Sequence, residues 1–240
     1  MREAGQRLAV VMQHAREVVR PGLTTAALDA QIEATMKQMG LKPACKGFKG
    51  YRHASCISVN DIVVHGVPSE HRVLQPGDCV SIDMVGIFDG YHADMARTYV
   101  VSGAAPDPAI ARLIAVAEQA LVAGQQALAD GVRLGVVSHA IQAVVESAGF
   151  GIIRDFVGHG IGKNMHEDPQ VPNFGSPTEG PRLYAGTTLA IEPMITVGSP
   201  DVVILPDRWS VQTRDKSWAA HVENTVAVTD SGVEVLTHLQ

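Results

Sequence analysis

Positive charge is in the minority in this chain: 19 Lys and Arg stand against 25 Asp and Glu, a net charge of −6. That balance predicts no basic patch or stripe and no nucleic-acid partner. Cysteine is scarce. Cys45, Cys56 and Cys79 form no CxxC pair and leave an odd thiol over, which points to reduced thiols in a cytoplasmic protein. Long apolar runs are missing too. None approaches the roughly 18 residues of a membrane span, Leu8–Met12 being about as long as they get, so no membrane partner is expected. The first residues, Met1 to Gly5, lack the apolar core and small-residue cleavage site of a signal peptide. Several catalytic signatures are absent as well. There is no GxSxG elbow, and His166-Glu167-Asp168 is not the start of HExxH because position 170 is Gln. The segment Gly158-His159-Gly160-Ile161-Gly162 lacks the P-loop lysine and the GxGxxG spacing.

What is present is a large apolar fraction and many histidines. Hydrophobic residues make up 46% of 240, with no linker or low-complexity stretch, so residues 1–240 are expected to form one domain with a sizeable core. Apolar spacing predicts helices over Arg2–Val19, from Thr24 or Thr25 to Gly40, over Pro108–Leu128 and over Gly135–Ser147. Between and after them come β-type runs: Cys56–Val59, Ile62–Val64, Cys79–Phe88, Tyr91–Val101, Gly151–Phe156, Thr188–Val197, Val222–Val228 and Val233–Leu236. This helix-then-strand order occurs twice. Gly22, Ile32 and Gly40 recur as Gly131, Ile141 and Gly149, each 109 positions later, and Asp83 recurs as Glu192 at the same offset. A duplicated α/β unit about a pseudo-two-fold would bring acids from matching strands together.

Asp89-Gly90 between two β runs is a hairpin signal, a two-residue type I′ turn. It places Asp83 opposite Ala96 and Asp94 opposite Val85, so both acids share a face as diagonal neighbours about 7–8 Å apart. On an exposed strand the pair would be two solvated acids. Here the flanking Val80, Ile82, Met84 and Val85 predict a buried hairpin, and buried acids need partners. Glu192 sits in an apolar run at Ile191-Glu192-Pro193, Glu223 in another at Val222-Glu223-Asn224, and His159 between glycines. Two Asp, two Glu and one His suit two hard or borderline divalent cations.

At these residues the sequence resembles the methionine aminopeptidases, in their bacterial type I form, of the pita-bread metallopeptidase family. The resemblance is carried by Asn60-Asp61-Ile62-Val63-Val64-His65-Gly66-Val67-Pro68, Ser81-Ile82-Asp83 through Asp94, and Gly158-His159-Gly160-Ile161-Gly162. It continues through His166-Glu167-Asp168-Pro169-Gln170, Ile191-Glu192-Pro193-Met194 and Glu223-Asn224-Thr225. It implies an α+β pita-bread fold, with duplicated α/β halves about a central antiparallel sheet. It implies Asp83, Asp94, His159, Glu192 and Glu223 as ligands of two divalent ions (Co2+, Mn2+, Fe2+ or Zn2+), with Asp94 and Glu223 bridging. Glu192 would also handle the proton of the attacking water. His65 and His166 would contact the substrate without ligating, His166 at the oxyanion.

The implied activity is removal of the initiator methionine from nascent chains with a small second residue; the chain is itself large enough to stand as a monomer, the expected state, in the cytoplasm to which its thiols point. The implied methionine pocket draws on Cys45, Phe48, Tyr51, Cys56, Met165 and Trp209, since a thioether packs well on aromatic rings and sulfur. Two positions depart from the family pattern: Asn224, where His often follows the last glutamate, and Met165, where an aromatic often precedes the second histidine. The remaining histidines, His14, His53, His71, His92, His139, His221 and His238, read as surface or local structural residues. Two rival readings are a related exopeptidase cleaving Xaa-Pro bonds and an inactive binding protein of the same fold.

Overall fold

The computed structural model describes residues 1–102 and 107–239. Each half opens with a helix pair laid on strands. Helix Arg2–Val18 buries Ala4, Leu8, Val11, Met12 and Ala15, the stripe expected of a helix with one face on a core. Helix Thr25–Gln38 begins where the Thr24 side chain accepts a hydrogen bond from the Ala27 amide at 3.1 Å, an N-cap. Its second-half counterparts are Pro108–Gln126, capped by Asp107, and Leu134–Ser147. All four fall within two residues of the expected ends.

The 109-residue offset reappears in three dimensions. Thr24 bridges Val73, and Arg133 bridges Arg182, each member displaced by that offset. The Gly22 amide donates to the Leu74 carbonyl at 2.8 Å, and the Gly131 amide to the Leu183 carbonyl at 2.7 Å. The two halves are therefore repeats of one helix-pair-and-strand unit.

Among the described residues, nine strands form one antiparallel sheet. Its main path runs Lys42–Pro43, Cys79–Phe88, Tyr91–Val100, Glu223–Thr229, Thr188–Ile191, Gly158–Gly160, Glu167–Val171. Ser55–Val59 also pairs with Cys79–Phe88, and Gly232–Val235 with Glu223–Thr229. The hairpin register is the expected one: Phe88 faces Tyr91, Asp83 faces Ala96 and Val85 faces Asp94. Asp89 and Gly90 both have positive φ, 48° and 76°, as a type I′ turn requires. Strand alternation then sorts the two faces. Val80, Ile82, Met84, Ala93 and Met95 pack under the first helix pair. Leu189, Ile191, Val226 and Val228 pack under the second. The opposite face is left for Asp83, Asp94 and Glu223.

One expected strand is broken. Thr188–Val197 is in fact Thr188–Ile191 in the main sheet and Met194–Thr196 in a separate three-stranded sheet. Pro193 has no N–H for the ladder, so the chain changes sheets at Glu192-Pro193. The expected run Val222–Val228 is the strand Glu223–Thr229 of the large sheet, and the chain reaches it from Ala219–His221 in the small sheet. Only Gly151–Ile152 of the expected Gly151–Phe156 run is strand. Glu167–Val171, Gly158–Gly160, Val202–Ile204 and Val211–Thr213 are strands that apolar patterning does not announce.

Candidate functional site

The acids meet because the register lines them up in rows. Asp83 lies opposite Ala96, and Ala96 opposite Glu223. Asn224 pairs with Ile191, which leaves Glu192 level with Glu223 just past the end of its strand. In the next row His159 pairs with Ala190, and Ala190 with Thr225. The Thr225 hydroxyl takes the place of a ladder bond, accepting from the Asp94 amide at 2.8 Å and donating to its carbonyl at 2.9 Å. Two residues from each half and one histidine thus converge on one face.

His159 stands on a strand whose glycines are forced. A Cβ on Gly158 would lie 2.4 Å from the Ala190 carbonyl oxygen, and one on Gly160 2.2 Å from that of Asp168. The His159 Nδ1–H donates to the Gly160 carbonyl at 2.9 Å; a carbonyl only accepts, so the Nε2 lone pair is free. That Nε2 faces Glu192 Oε1 at 3.6 Å and Asp94 Oδ2 at 3.9 Å.

Electrostatics make the cluster costly as it stands. Burial is the main cause that pushes Asp83 up to about 6 and Glu192 up to about 7. Burial, reinforced by neighbouring acids, lifts Asp94 and Glu223 well above the carboxylate range. Burial also lowers His159 and takes His65 down to about 4. Asp94 Oδ1 and Glu223 Oε1 are buried with no hydrogen-bond partner, and a buried carboxylate oxygen in that state needs a proton or a cation. One donor atom each from Asp94, His159 and Glu223 lies within 4.8 Å of the others. The donors therefore fit divalent metal, an oxygen-rich set with nitrogen.

The acids form one end of a cavity of about 250 Å3, and every residue named for ligation, catalysis or the side-chain pocket lines it. Cys45, Tyr51, Cys56 and Val85 form a buried apolar cluster with Met165 and Trp209 packed against it. Tyr51 and Trp209 meet edge-on, ring centroids 4.9 Å apart. Tyr51 is held by its hydroxyl, which donates to the Ser55 carbonyl at 2.9 Å. Phe48 lies against His166 at 5.5 Å, and His166 is 4.4 Å from His159 between ring centroids. His65 has φ 58° and sets its ring edge-on to Phe156 at 5.5 Å.

Lys49 and Val85 also line the cavity and were not anticipated. Val85 was legible, being opposite Asp94 in the hairpin; Lys49 carries no sequence signal. Of the two departures, Met165 lines the cavity, whereas Asn224 does not. Its carboxamide oxygen accepts from Arg97 Nη2 at 2.8 Å and from the Thr237 hydroxyl at 2.9 Å, on the helix side of the sheet. One expectation is corrected. His221 is not at the surface: it is 1% exposed and lies within 3.8 Å of both Glu192 and Glu223. No sequence signal announced it, because His221 and Glu223 stand in different sheets and strand alternation does not carry from one to the other.

Known proteins resemble this chain over nearly its whole length. The pattern of metallopeptidase family M24 matches residues 1–230. The methionine aminopeptidase of Clostridium acetobutylicum is 45% identical over 99% of this chain and 94% of its own length. Methionine aminopeptidase 1 of Bacillus subtilis is 44% identical over 100% and 95%. The crystal structure of methionine aminopeptidase from Thermotoga maritima superposes with a TM-score of 0.96 at 43% identity, covering 99% of this chain and 94% of that one. The prolidase of Pyrococcus horikoshii, at 21% identity and a TM-score of 0.79, shares the fold alone. With its curled antiparallel sheet flanked by four helices, the chain belongs to metallopeptidase family M24 and has that family's pita-bread fold.

Proposed function

We propose that this chain hydrolyses methionine from the free N-terminus of peptides and nascent proteins in the cytoplasm, favouring a small second residue. One observation carries the reading: the apolar wall abuts the acids directly, through the cross-strand pairs Cys56–Asp83 and Val85–Asp94. A side chain seated on that wall would hold its own backbone at the carboxylates. A thioether is unbranched and polarisable and suits a wall of sulfur and aromatic edges. The identity to methionine aminopeptidases across nearly the whole chain supports the same substrate.

Asp83, Asp94, His159, Glu192 and Glu223 would hold two divalent ions. When bound, such ions activate water and polarise a carbonyl. The chain supplies the rest. A Glu192 carboxylate oxygen takes the proton from the attacking water and passes it to the leaving amine. His166 donates a hydrogen bond to the oxygen on which negative charge develops. His65, kept neutral by burial down to about pH 4, hydrogen-bonds the amide beyond the scissile bond. The free, buried thiols Cys45, Cys56 and Cys79 are consistent with a reducing compartment. Among the described residues no helix is long and apolar enough to cross a membrane.

The test is a side-by-side assay of Met-Gly and Xaa-Pro peptides with metal-stripped protein reloaded with Mn2+, Fe2+, Co2+ or Zn2+ in turn. Rapid release of Met from Met-Gly with no Xaa-Pro cleavage is expected. Preferential Xaa-Pro cleavage, or turnover of neither, would overturn the reading.

A further inference from the structure

The two halves of the main sheet meet where Tyr91–Val100 pairs with Glu223–Thr229, directly through only two rows, Ala96–Glu223 and Met95–Asn224. Threonine hydroxyls close this seam at both ends. Thr225 bonds the amide and carbonyl of Asp94, and Thr98 does the same for His221, at 3.1 and 2.7 Å. The seam is thus symmetric: Asp94, Ala96 and Thr98 on one side answer to His221, Glu223 and Thr225 on the other. By the same rule Arg97 answers to Asn224, and there the symmetry breaks. Arg97 is 7% exposed. Its Nη1 donates to the Ala96 carbonyl at 2.7 Å and the Glu223 carbonyl at 2.5 Å, one from each strand. Its Nη2 donates to the Asn224 carboxamide oxygen at 2.8 Å. That oxygen also accepts from the Thr237 hydroxyl, which in turn accepts from the Thr225 amide at 3.0 Å. The ion pair from Arg97 Nε to the half-buried Glu118 is long, 3.7 Å. A buried cation is costly unless its donors are used, and here the hydrogen bonds it donates fall on the two rows of the seam.

We infer that Arg97 is a positioning residue: its fork across the seam sets where the second half presents the Glu223 carboxylate to Asp83 and Asp94 of the first. The inference rests on the metallohydrolase reading above, in which Glu223 is a ligand. Arg97 touches no substrate and acts through the Glu223 backbone. A planar guanidinium that holds a carbonyl from each strand and a carboxamide oxygen fixes both the separation and the twist of the two strands at that row. Lysine has no such fork, only a point charge on a flexible stem. Asn224 completes the device, because a carboxamide oxygen has two lone pairs and receives Arg97 and Thr237 together, whereas an imidazole offers at most one acceptor nitrogen. The Thr237 contact ties the C-terminal segment into the same clamp.

The experiment titrates Co2+ into metal-stripped full-length protein, with calorimetry for affinity and the visible absorption of the ion for the geometry around it. The Tm of each stripped protein is measured alongside. Arg97→Met keeps the apolar stem and removes the fork; it should bind Co2+ ~10–100-fold more weakly, with an altered absorption spectrum. Arg97→Lys should recover little of that loss. Asn224→Asp keeps the acceptor and should bind Co2+ as the wild type does. An Arg97→Met protein that melts lower when stripped, yet binds Co2+ with wild-type affinity and spectrum, would overturn the assignment and leave Arg97 a purely structural residue, with the metallohydrolase reading intact. Should Arg97→Met not fold, wild-type affinity and spectrum in Arg97→Lys would overturn it equally. Failure of the wild-type chain to bind Co2+ would overturn both readings.

Discussion

Replacing His166 by alanine separates transition-state stabilisation from metal binding and from packing. The ring is exposed at the cavity mouth, 4.4 Å from the His159 ring and 5.5 Å from Phe48 between centroids. The backbone that presents it is fixed independently. The Asn164 amide donates to the Glu167 carboxylate at 2.8 Å, the Gly162 amide to the Asn164 carbonyl at 3.1 Å, and the His92 amide to the Gly162 carbonyl at 2.8 Å. Truncation therefore leaves the loop in place and removes a donor. A donor that meets charge only as it develops is worth on the order of 10²–10³ in kcat, or about 2.7–4 kcal/mol. KM should hardly change, because the bond is weak in the ground state. The packing lost from an exposed ring is about 0.5 kcal/mol, a Tm change of roughly 1–2 °C for a chain of this size. The assay is steady-state hydrolysis of a Met-Gly peptide with metal stoichiometry and melting measured on the same preparation. His159→Ala, run in parallel, should lose metal. A His166→Ala protein that melts several degrees lower with unchanged kcat would show a packing role. Loss of metal in that variant, with normal turnover in excess metal, would show that the two histidines have exchanged roles.

Chelation should abolish hydrolysis and lower Tm by roughly 5–10 °C. Metal at a hundredfold excess over Kd stabilises by about 2.7 kcal/mol, and each kcal/mol moves a chain of this size by about 2–4 °C; an unchanged Tm would contradict an assembled-site ligand. Stripped protein should lose stability as pH rises through about 7. Glu192 at about 7, with Asp94 and Glu223 above the carboxylate range, holds protons that the unfolded chain has released, and stability falls as pH passes through each raised folded pKa. The imidazoles do not offset this, being neutral in both states above about pH 7, and metal saturation should remove the slope in thermal melts. Gly160→Ala should destabilise by about 1–3 kcal/mol through overpacking, with loss of metal, because its Cβ would lie 2.2 Å from the Asp168 carbonyl oxygen; a fully metallated, wild-type-like variant would refute that account of the strand. Met-Gly and Met-Ala peptides should be cleaved far better than Met-Leu, and formyl-Met peptides not at all. Equal rates for free and blocked termini would exclude recognition of the amine.

Some of this protein is decided by neighbours in sequence. The Asp89-Gly90 turn sets the hairpin, and period two then puts Asp83 and Asp94 on one face, because local backbone geometry and side-chain alternation need no distant partner. The helices are likewise marked by spacing and by caps such as Thr24 and Asp107. The 109-residue repeat reported that matching acids come from matching strands. Other features depend on residues far apart in the chain. Whether Glu192 and Glu223 leave the main sheet at their own positions follows from which sheet each flanking strand joins, and apolar runs such as Leu189–Met194 look the same either way. The cavity wall is assembled from the 45–56 segment, Met165 and Trp209, which share no periodicity. His221 looked ordinary because a lone histidine gives no hint of its depth. Packing of the small sheet against the large one buries it beside two glutamates, since cross-sheet contacts between distant segments have no counterpart in local patterning.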